Sequence, residues 1–154
     1  MTDNELKSDV DKYRPMLFRL AYSCTGDISV CDDIVQEAFL KLYSCNQKFS
    51  SEEGKKAWLI RVTVNNCRNY RKAWWNRSRN DLPENSGKED NPDDEIIALK
   101  AALDSLKPAY RQVIFLHYYE GYTAAEIGKL LNLSVTAVTT RLQRGREMLR
   151  KYLD

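Results

Sequence analysis

The sequence predicts an all-α protein that consists of two small helical domains joined by a flexible linker. Apolar residues recur at steps of three and four through most of the chain, which is the spacing of a buried helix face. An acidic stretch with two prolines and a glycine, residues 79–92, lacks this periodicity and divides the chain. Near the C-terminus, two predicted helices are separated by only a short polar turn.

Composition restricts the possible functions. The 154 residues have a net charge of +2, so overall charge says little about partners. No apolar run approaches the ~20 residues of a membrane span, and the polar N-terminus is unlike a signal peptide. The four cysteines form no CxxC pair, which argues against a zinc site and favours reduced, mostly buried thiols in a cytoplasmic protein. The sequence predicts no metal, no cofactor and no catalytic motif.

The N-terminal half begins with two predicted helices. Residues 5–24 have helical periodicity, and Pro15 marks either a break or a helix start. The second helix, Val30–Tyr43, is expected to be capped by Ser29. Its predicted buried stripe comprises the apolar residues of one face: Ile34, Val35, Ala38, Phe39 and Leu42. Its charged residues form either a solvated acidic face or a docking surface for a basic partner.

A polar loop, residues 45–56, contains one aromatic residue, Phe49, which either fills a gap in the core or stacks on a ligand. Residues 57–73 then form a helix whose first half is apolar nearly all round, which predicts a central position. One stripe of that helix stays polar at steps of three and four and therefore shares a face: Arg61, Asn65, Arg68, Asn69 and Lys72.

Aromatic residues interleave with this polar stripe, and no acidic residue occurs between Arg61 and Arg79. Cations, amides and flat rings are the groups that a single-stranded nucleic acid requires. The alternative is that Trp74 and Trp75 cover the core, as we expect of at least one of them.

The C-terminal half is predicted to begin with a helix at Asn91–Glu95 and to continue with a helix over residues 109–119. Gly121 is expected to end the latter in a left-handed conformation. His117 is predicted to be a packed or half-exposed helix residue and not a catalyst.

The final two helices have the form of a helix-turn-helix. Thr123 and Glu126 have the spacing of a capping box, and Ser134 is placed to cap the second helix. The second helix repeats a set of residues on one side: Val138, Leu142, Gly145, Leu149 and Tyr152. Its other faces are polar and basic, which favours DNA binding over an ordinary packed helical hairpin.

Taken together, these segments resemble an extracytoplasmic-function (ECF) sigma factor of bacterial RNA polymerase. DDIVQEAFLKLY and WLIRVTVNNCRNYRK are similar to region two, and LKPAYRQVIFLHYYEGYTAAEIGKLLNLSVTAVTTRLQRGREMLRKYL is similar to region four. The resemblance implies region two at 1–78, a flexible acidic linker at 79–92 and region four at 93–154. It implies a non-enzymatic subunit that binds the clamp helices and flap of core RNA polymerase, reads minus-thirty-five duplex DNA and captures the melted minus-ten non-template strand.

The resemblance also implies residue roles and a further partner. Polymerase contacts would be Asp32, Asp33, Gln36 and Glu37. Contacts with the minus-ten strand would be Phe49, Arg61, Asn65, Arg68, Asn69 and Lys72. Contacts with the minus-thirty-five duplex would be Ser134, Thr136, Thr139, Thr140, Arg141, Gln143 and Arg144. The class implies an anti-sigma inhibitor, either free or membrane-bound.

Two departures from the common family pattern leave the promoter sequence open. The loop lacks the usual glycine–acid turn after Phe49, and Thr139 stands where a basic residue is often found. Two alternatives remain: a free-standing, dimeric helix-turn-helix regulator, and an enzyme that modifies nucleic acid.

Overall fold

The computed structural model describes residues 1–77 and 101–153, with side chains for 1–72 and 101–152. Every regular element in these ranges is a helix, which confirms the all-α prediction. The chain divides into two compact units, the N-terminal unit Met1–Pro83 and the C-terminal unit Glu84–Asp154. The predicted linker at 79–92, the helix start at Asn91–Glu95 and the side chains of Trp74 and Trp75 lie outside the described residues.

The described part of the N-terminal unit, residues 1–77, contains three helices, each of which packs against the other two. They are α1 (Asp3–Thr25), α2 (Ile28–Ser44) and α3 (Glu52–Arg77). The core between them is apolar, and its largest fully buried side chains include Leu17, Leu20, Leu42, Leu59 and Ile60. The predicted buried stripe of α2 and the central position of α3 are confirmed.

Helix α1 is continuous, so the predicted break or new start at Pro15 is wrong. It starts at a capping box that Thr2 and Glu5 form with each other's backbone. A proline inside a helix costs one backbone hydrogen bond. Met16 and Leu17 directly after it are buried, and this tertiary packing outweighs the local penalty.

Two helix starts differ from their predicted positions. Asp27, and not Ser29, caps α2, because one Asp27 carboxylate oxygen accepts both the Ser29 backbone N–H at 3.0 Å and its hydroxyl at 2.6 Å. Helix α3 begins at Glu52, five residues before the predicted start, where the Ser51 hydroxyl accepts the Gly54 N–H at 3.0 Å. The loop before α3 is therefore limited to residues 45–51.

The cysteines are free thiols, as predicted, and all except Cys45 are buried. Burial raises the pKa of Cys31 to about 11. A hydrogen bond with Cys24, together with burial, raises the pKa of Cys67. These buried thiols stay protonated at neutral pH and behave as small apolar core residues.

In the C-terminal unit, residues 101–105 are helical, and three further helices follow. They are α4 (Pro108–Ile114), α5 (Ala124–Leu131) and α6 (Val135–Leu153). Residues Phe115–Tyr119 continue α4 as a π-helical turn, which the periodicity did not predict. Gly121 follows with a φ of 78°, which confirms the left-handed end.

Helices α4 and α5 both pack against α6. The predicted apolar faces are confirmed through Ile127, Leu131, Val138 and Leu142, all of which are buried. Tyr152 was predicted on the same side, yet 54% of its surface is exposed, because the packed part of α6 ends before it. In the described part of the chain, no helix combines the length and apolar character that crossing a membrane requires.

Candidate nucleic-acid and protein interfaces

Helix α2 presents the four predicted polymerase contacts to solvent: Asp32, Asp33, Gln36 and Glu37. Two of these carboxylates already have cationic neighbours. Arg14 of α1 donates to Asp32 at 2.6 Å, and Lys41 lies 3.7 Å from Glu37. Among the described residues, Asp33 has no hydrogen-bond or ion-pair partner. Its carboxylate is therefore the most available of the three.

Apolar residues extend this acidic surface. Ile28 and Leu40 each leave 61% of their surface exposed, and Tyr43 leaves 46%. Steps of four place Ile28 and Leu40 on the side of α2 that also holds Asp32 and Gln36. These three residues were not predicted as surface contacts from the sequence. The signal that could have identified them is that they lie outside the predicted buried stripe of α2. The exposed apolar residues can pack against a partner protein, and the carboxylates beside them attract one that is basic.

Phe49 lies in the loop before α3 and is half-buried. Its ring meets Trp58 edge-on, with ring centroids 5.7 Å apart and planes at 65°. Phe49 therefore packs against the protein, as one of the two alternatives predicted, and part of the residue stays accessible, so stacking on a ligand stays a prediction.

A polar network fixes the start of α3 beneath this loop. Lys55 lies 3.2 Å from both carboxylate oxygens of Asp9, and only 18% and 8% of the two side chains are exposed. The Tyr13 hydroxyl donates to Glu52. Burial lowers the pKa of Lys55, but the hydrogen bond and charge of Asp9 raise it overall, so the amine stays charged at neutral pH.

Burial and the neighbouring Glu52 carboxylate raise the pKa of Tyr13, which keeps its hydroxyl protonated as a donor. Sequence reasoning missed this network entirely, since its partners are about forty residues apart in the chain.

The predicted polar stripe of α3 is exposed along its whole length, as its spacing indicated: Arg61, Asn65, Arg68, Asn69 and Lys72. Asn66, next to this stripe, is buried and holds two helices together. Its Oδ1 accepts from Lys41 at 2.9 Å, and its Nδ2 donates to the Ile34 carbonyl at 3.3 Å.

A groove of about 260 Å³ lies between α2 and α3. Asp33 and Glu37 line it from α2, and Asn69 and Tyr70 line it from α3. The groove therefore brings together residues with two different predicted partners, because Asp33 and Glu37 were assigned to polymerase and Asn69 to DNA.

The turn between α5 and α6 is held by backbone geometry. Asn132 adopts a left-handed conformation with a φ of 57°. The Leu133 N–H donates to the Gly128 carbonyl at 2.8 Å, and a Cβ added at Gly128 would lie 2.6 Å from the Leu133 carbonyl oxygen. Only glycine fits this close approach without a shift of the backbone.

Both predicted caps of the helix-turn-helix are confirmed. Thr123 and Glu126 form the capping box of α5. The Ser134 hydroxyl accepts the Ala137 N–H at 3.1 Å and so caps α6. Local hydrogen bonds thus fix the start of each of the two helices.

Most predicted duplex contacts lie on the solvent-exposed side of α6, which we call its open side. Exposed members are Ser134, Thr136, Thr139, Gln143 and Arg144, and half-buried members are Thr140 and Arg141. The Thr139 hydroxyl donates to the Thr136 carbonyl at 3.0 Å, which leaves its oxygen able to accept. The Gln143 amide lies 3.5 Å from Glu147.

The π-helical turn presents two tyrosines that sequence reasoning did not single out. Tyr118 and Tyr119 expose 57% and 63% of their surface. Arg146 of α6 donates to the Tyr118 hydroxyl at 2.9 Å, and Phe115 stacks on Tyr119.

His117 Nδ1 lies 2.8 Å from the Tyr122 carbonyl, and this nitrogen must bear the proton since a carbonyl only accepts. His117 is thus half-buried, as predicted, and its side chain is also bonded to the backbone.

The two units match two known family models. Residues 10–76 match Sigma-70 region 2, and residues 96–149 match Sigma-70, region 4. The chain is 30% identical to the ECF RNA polymerase sigma factor SigW of Bacillus subtilis over 94% of its own length and 86% of that protein. The chain belongs to the ECF sigma factors of the sigma-70 family.

Other proteins show the same similarity. The chain is 31% identical to SigE of Mycolicibacterium smegmatis, over 94% of its own length and 60% of that protein. Its fold matches sigma factor RpoE of Bartonella quintana, solved in complex with the anti-sigma factor NepR, with a TM-score of 0.79 and 21% identity over 97% and 96% of the two chains. It also matches CnrH, solved with the cytosolic domain of CnrY, with a TM-score of 0.70 and 25% identity over 99% and 90%.

As a member of this family, the chain is a promoter-specificity subunit that acts with RNA polymerase in transcription initiation. Sigma factors are transcription factors and not enzymes. Their partners are core RNA polymerase and promoter DNA. The surfaces described above are therefore candidates for these two kinds of contact.

Proposed function

We propose that this sigma factor docks on core polymerase through α2, captures the melted minus-ten non-template strand along α3, and reads minus-thirty-five duplex DNA with α6. The observation that supports this best is the separation of charge between neighbouring helices of the N-terminal unit. Acidic residues are exposed on α2, and cations and amides are exposed on α3. Like charges repel and opposite charges attract, so one helix suits a basic protein and the other suits DNA.

The polymerase surface consists of Asp32, Asp33, Gln36 and Glu37 and binds the clamp helices. We place Asp33 at its energetic centre, since Asp32 and Glu37 already have Arg14 and Lys41 beside them. Region four docks on the flap, and the exposed Tyr118 and Tyr119 are suitable residues for that contact.

The minus-ten surface consists of the α3 stripe and the Phe49 ring. Opening DNA without ATP requires binding energy that exists only for the unpaired strand. A flipped base stacked against Phe49 and bonded by Arg61 and Asn65 would supply it, against an unstacking cost of a few kcal/mol. Arg68 and Lys72 follow along the same face and would hold the next phosphates.

The minus-thirty-five surface is the open side of α6, where Thr136, Thr139, Thr140, Gln143 and Arg144 supply donors and acceptors. Arg141 and Ser134 flank them. The N-terminal part of such a helix enters the major groove, and its hydroxyl, amide and guanidinium groups bond base edges and phosphates.

We also propose an anti-sigma inhibitor, free or membrane-bound. Supporting this, the matching sigma factor RpoE of Bartonella quintana was solved in complex with the anti-sigma factor NepR. Since core polymerase works on chromosomal DNA, we place the sigma factor in the cytoplasm.

The experiment that tests the proposal is run-off transcription with purified core polymerase on promoters of the source organism. We expect specific transcripts only when core and this chain are both present. Failure of the chain to bind core in a pull-down would contradict the proposal and favour a free-standing regulator.

Replacing Arg144 with alanine is expected to weaken closed-complex formation on duplex promoter DNA by about tenfold and to reduce the slope of log affinity against log salt by about one. Arg144 is exposed on the open side of α6. The readout is a titration of holoenzyme against duplex DNA at several salt concentrations. Lys7→Ala is the control, because it removes a positive charge from an exposed position of α1. If the salt slope of Arg144→Ala equals that of wild type, Arg144 does not contact the DNA.

A further inference from the structure

We propose that polar contacts between α1 and the first turn of α3 position the Phe49 ring for capture of the minus-ten strand. The positioning residues are Asp9 and Tyr13 of α1 and Glu52 and Lys55 of α3. They act through the ring and the loop that carries it. The inference rests on the proposed strand capture and adds the contacts that prepare the loop before DNA arrives.

Two separate contacts join these helices. Lys55 lies 3.2 Å from both carboxylate oxygens of Asp9. The Tyr13 hydroxyl donates to Glu52. The two residues from each helix are three or four positions apart, so they lie on one face of that helix. One contact alone would fix a distance, whereas two contacts also fix the rotation of α3 about its own axis.

The loop that carries Phe49 is attached to the turn that these contacts hold. Phe49 lies three residues before α3 begins, and the Ser51 hydroxyl joins the end of the loop to that turn by accepting the Gly54 N–H at 3.0 Å. The ring meets Trp58 in the second turn of α3, with ring centroids 5.7 Å apart. A rotation of the first turn would therefore move the ring relative to α2, the helix that docks on core polymerase in the proposed function.

Stability alone does not explain the buried ion pair. Only 18% of the Lys55 side chain and 8% of the Asp9 side chain are exposed. Taking two charges out of water costs free energy, and apolar residues of similar volume often give a fold of equal or greater stability. Apolar contacts are not directional, whereas this ion pair with its two hydrogen bonds selects one arrangement of the helices. A loop that is already held in its binding conformation loses less entropy when it receives a base.

Lys55 is better suited to this indirect role than to a phosphate contact. Its ammonium group lies between two carboxylates, since Glu52 is 3.5 Å away in addition to Asp9. A DNA phosphate would have to replace both of these partners at a largely buried position. Lys55 therefore acts on the strand through the loop.

The main test replaces the ion pair with an apolar pair, Asp9→Leu combined with Lys55→Met, in the full chain at saturating core polymerase. We expect wild-type thermal stability and core affinity, because the helices still pack. The affinity for a minus-ten non-template oligonucleotide should fall by about tenfold, since the loop must now be ordered on binding. An ion pair that only supported the fold would leave oligonucleotide binding by the folded, core-bound chain unchanged, and that result would overturn the proposal.

A double-mutant cycle shows whether the ion pair acts through the ring. When Phe49 is already replaced by alanine, the apolar pair should change oligonucleotide affinity by less than about twofold. An equal loss with and without the ring would show two independent effects and would overturn the positioning role.

Tyr13→Phe is a milder variant, because it keeps the buried ring and removes only the hydroxyl that Glu52 accepts. We expect about threefold weaker oligonucleotide binding with unchanged circular dichroism and core affinity. Asp3→Ala is the matched control, since it breaks a bond of the same kind between α1 and α2, in which the Tyr43 hydroxyl donates to Asp3 at 2.9 Å. It should bind the oligonucleotide like wild type, and a loss equal to that of Tyr13→Phe would overturn the proposal.

Failure of this inference and failure of the proposed function give different results. Wild-type oligonucleotide affinity for the apolar pair and for Tyr13→Phe, together with weak binding by Phe49→Ala, would overturn the positioning role alone. Normal oligonucleotide binding by Phe49→Ala would overturn strand capture by the ring, and the inference with it.

Discussion

Replacing Gly128 with alanine is expected to destabilise the C-terminal unit by about 3 kcal/mol and to abolish specific minus-thirty-five binding at physiological temperature. The added Cβ would lie 2.6 Å from the Leu133 carbonyl oxygen, which is a backbone atom. That backbone cannot move freely, because the Leu133 N–H donates to Gly128 at 2.8 Å and Asn132 is in a left-handed conformation. Either the turn opens or α6 changes its direction.

Thermal unfolding of the full chain followed by circular dichroism measures this effect. Gly54→Ala is the matched control, since its added Cβ would meet only the Ser51 hydroxyl at an ordinary 3.4 Å. Alanine is favoured over glycine within a helix by up to about 1 kcal/mol, so the control should be neutral or stabilising. Equal stability of Gly128→Ala and wild type would contradict the close approach between α5 and the turn.

Replacing Phe49 with alanine is expected to reduce open-complex formation by about tenfold to a hundredfold, because stacking of one base on an aromatic ring contributes about 1–3 kcal/mol. The ring is positioned by its edge-on contact with Trp58. Behind it, the Asp9–Lys55 and Tyr13–Glu52 contacts fix the start of α3. Permanganate reactivity of unpaired thymines in the promoter measures the fraction of open complexes.

Phe49→Tyr is the conservative control and should retain most promoter opening, since the aromatic face is kept. Core binding should be equal for both variants and wild type, because Phe49 is not part of the acidic α2 surface. Normal opening by Phe49→Ala would exclude the ring from strand capture.

Local patterns in the sequence predicted what local hydrogen bonds determine. The Thr123–Glu126 capping box and the Ser134 cap were found because each motif is complete within four residues. Where two capping residues compete, local pattern is insufficient. Asp27 and Ser29 are both good N-caps, and Asp27 caps α2 because its carboxylate accepts two hydrogen bonds from Ser29. At Pro15 the local pattern predicted a helix break that does not occur, because the packing of α1 outweighs the local cost of a proline in a helix.

The same contrast holds for the candidate sites: the sequence predicted features of a single helix but not contacts between helices. Helical periodicity predicted that the α3 stripe is exposed, because a spacing of three and four fixes a face. It could not predict the Arg14–Asp32 pair, whose members are 18 residues apart, or the Asp9–Lys55 pair, which spans 46 residues. The groove shared by Glu37 and Asn69 also requires two helices to be packed, so it becomes visible only in the structure.

We propose that two small helical modules obtain tight promoter binding only when core polymerase holds both of them. Linking weak contacts through a common partner raises affinity by about a hundredfold to ten-thousandfold without any new contact. The direct measurement is the affinity of a fluorescent promoter fragment for the isolated chain and for the chain with saturating core, at one salt concentration. We predict that binding is at least a hundredfold tighter with core. Equally tight, sequence-specific binding by the isolated chain would contradict the claim.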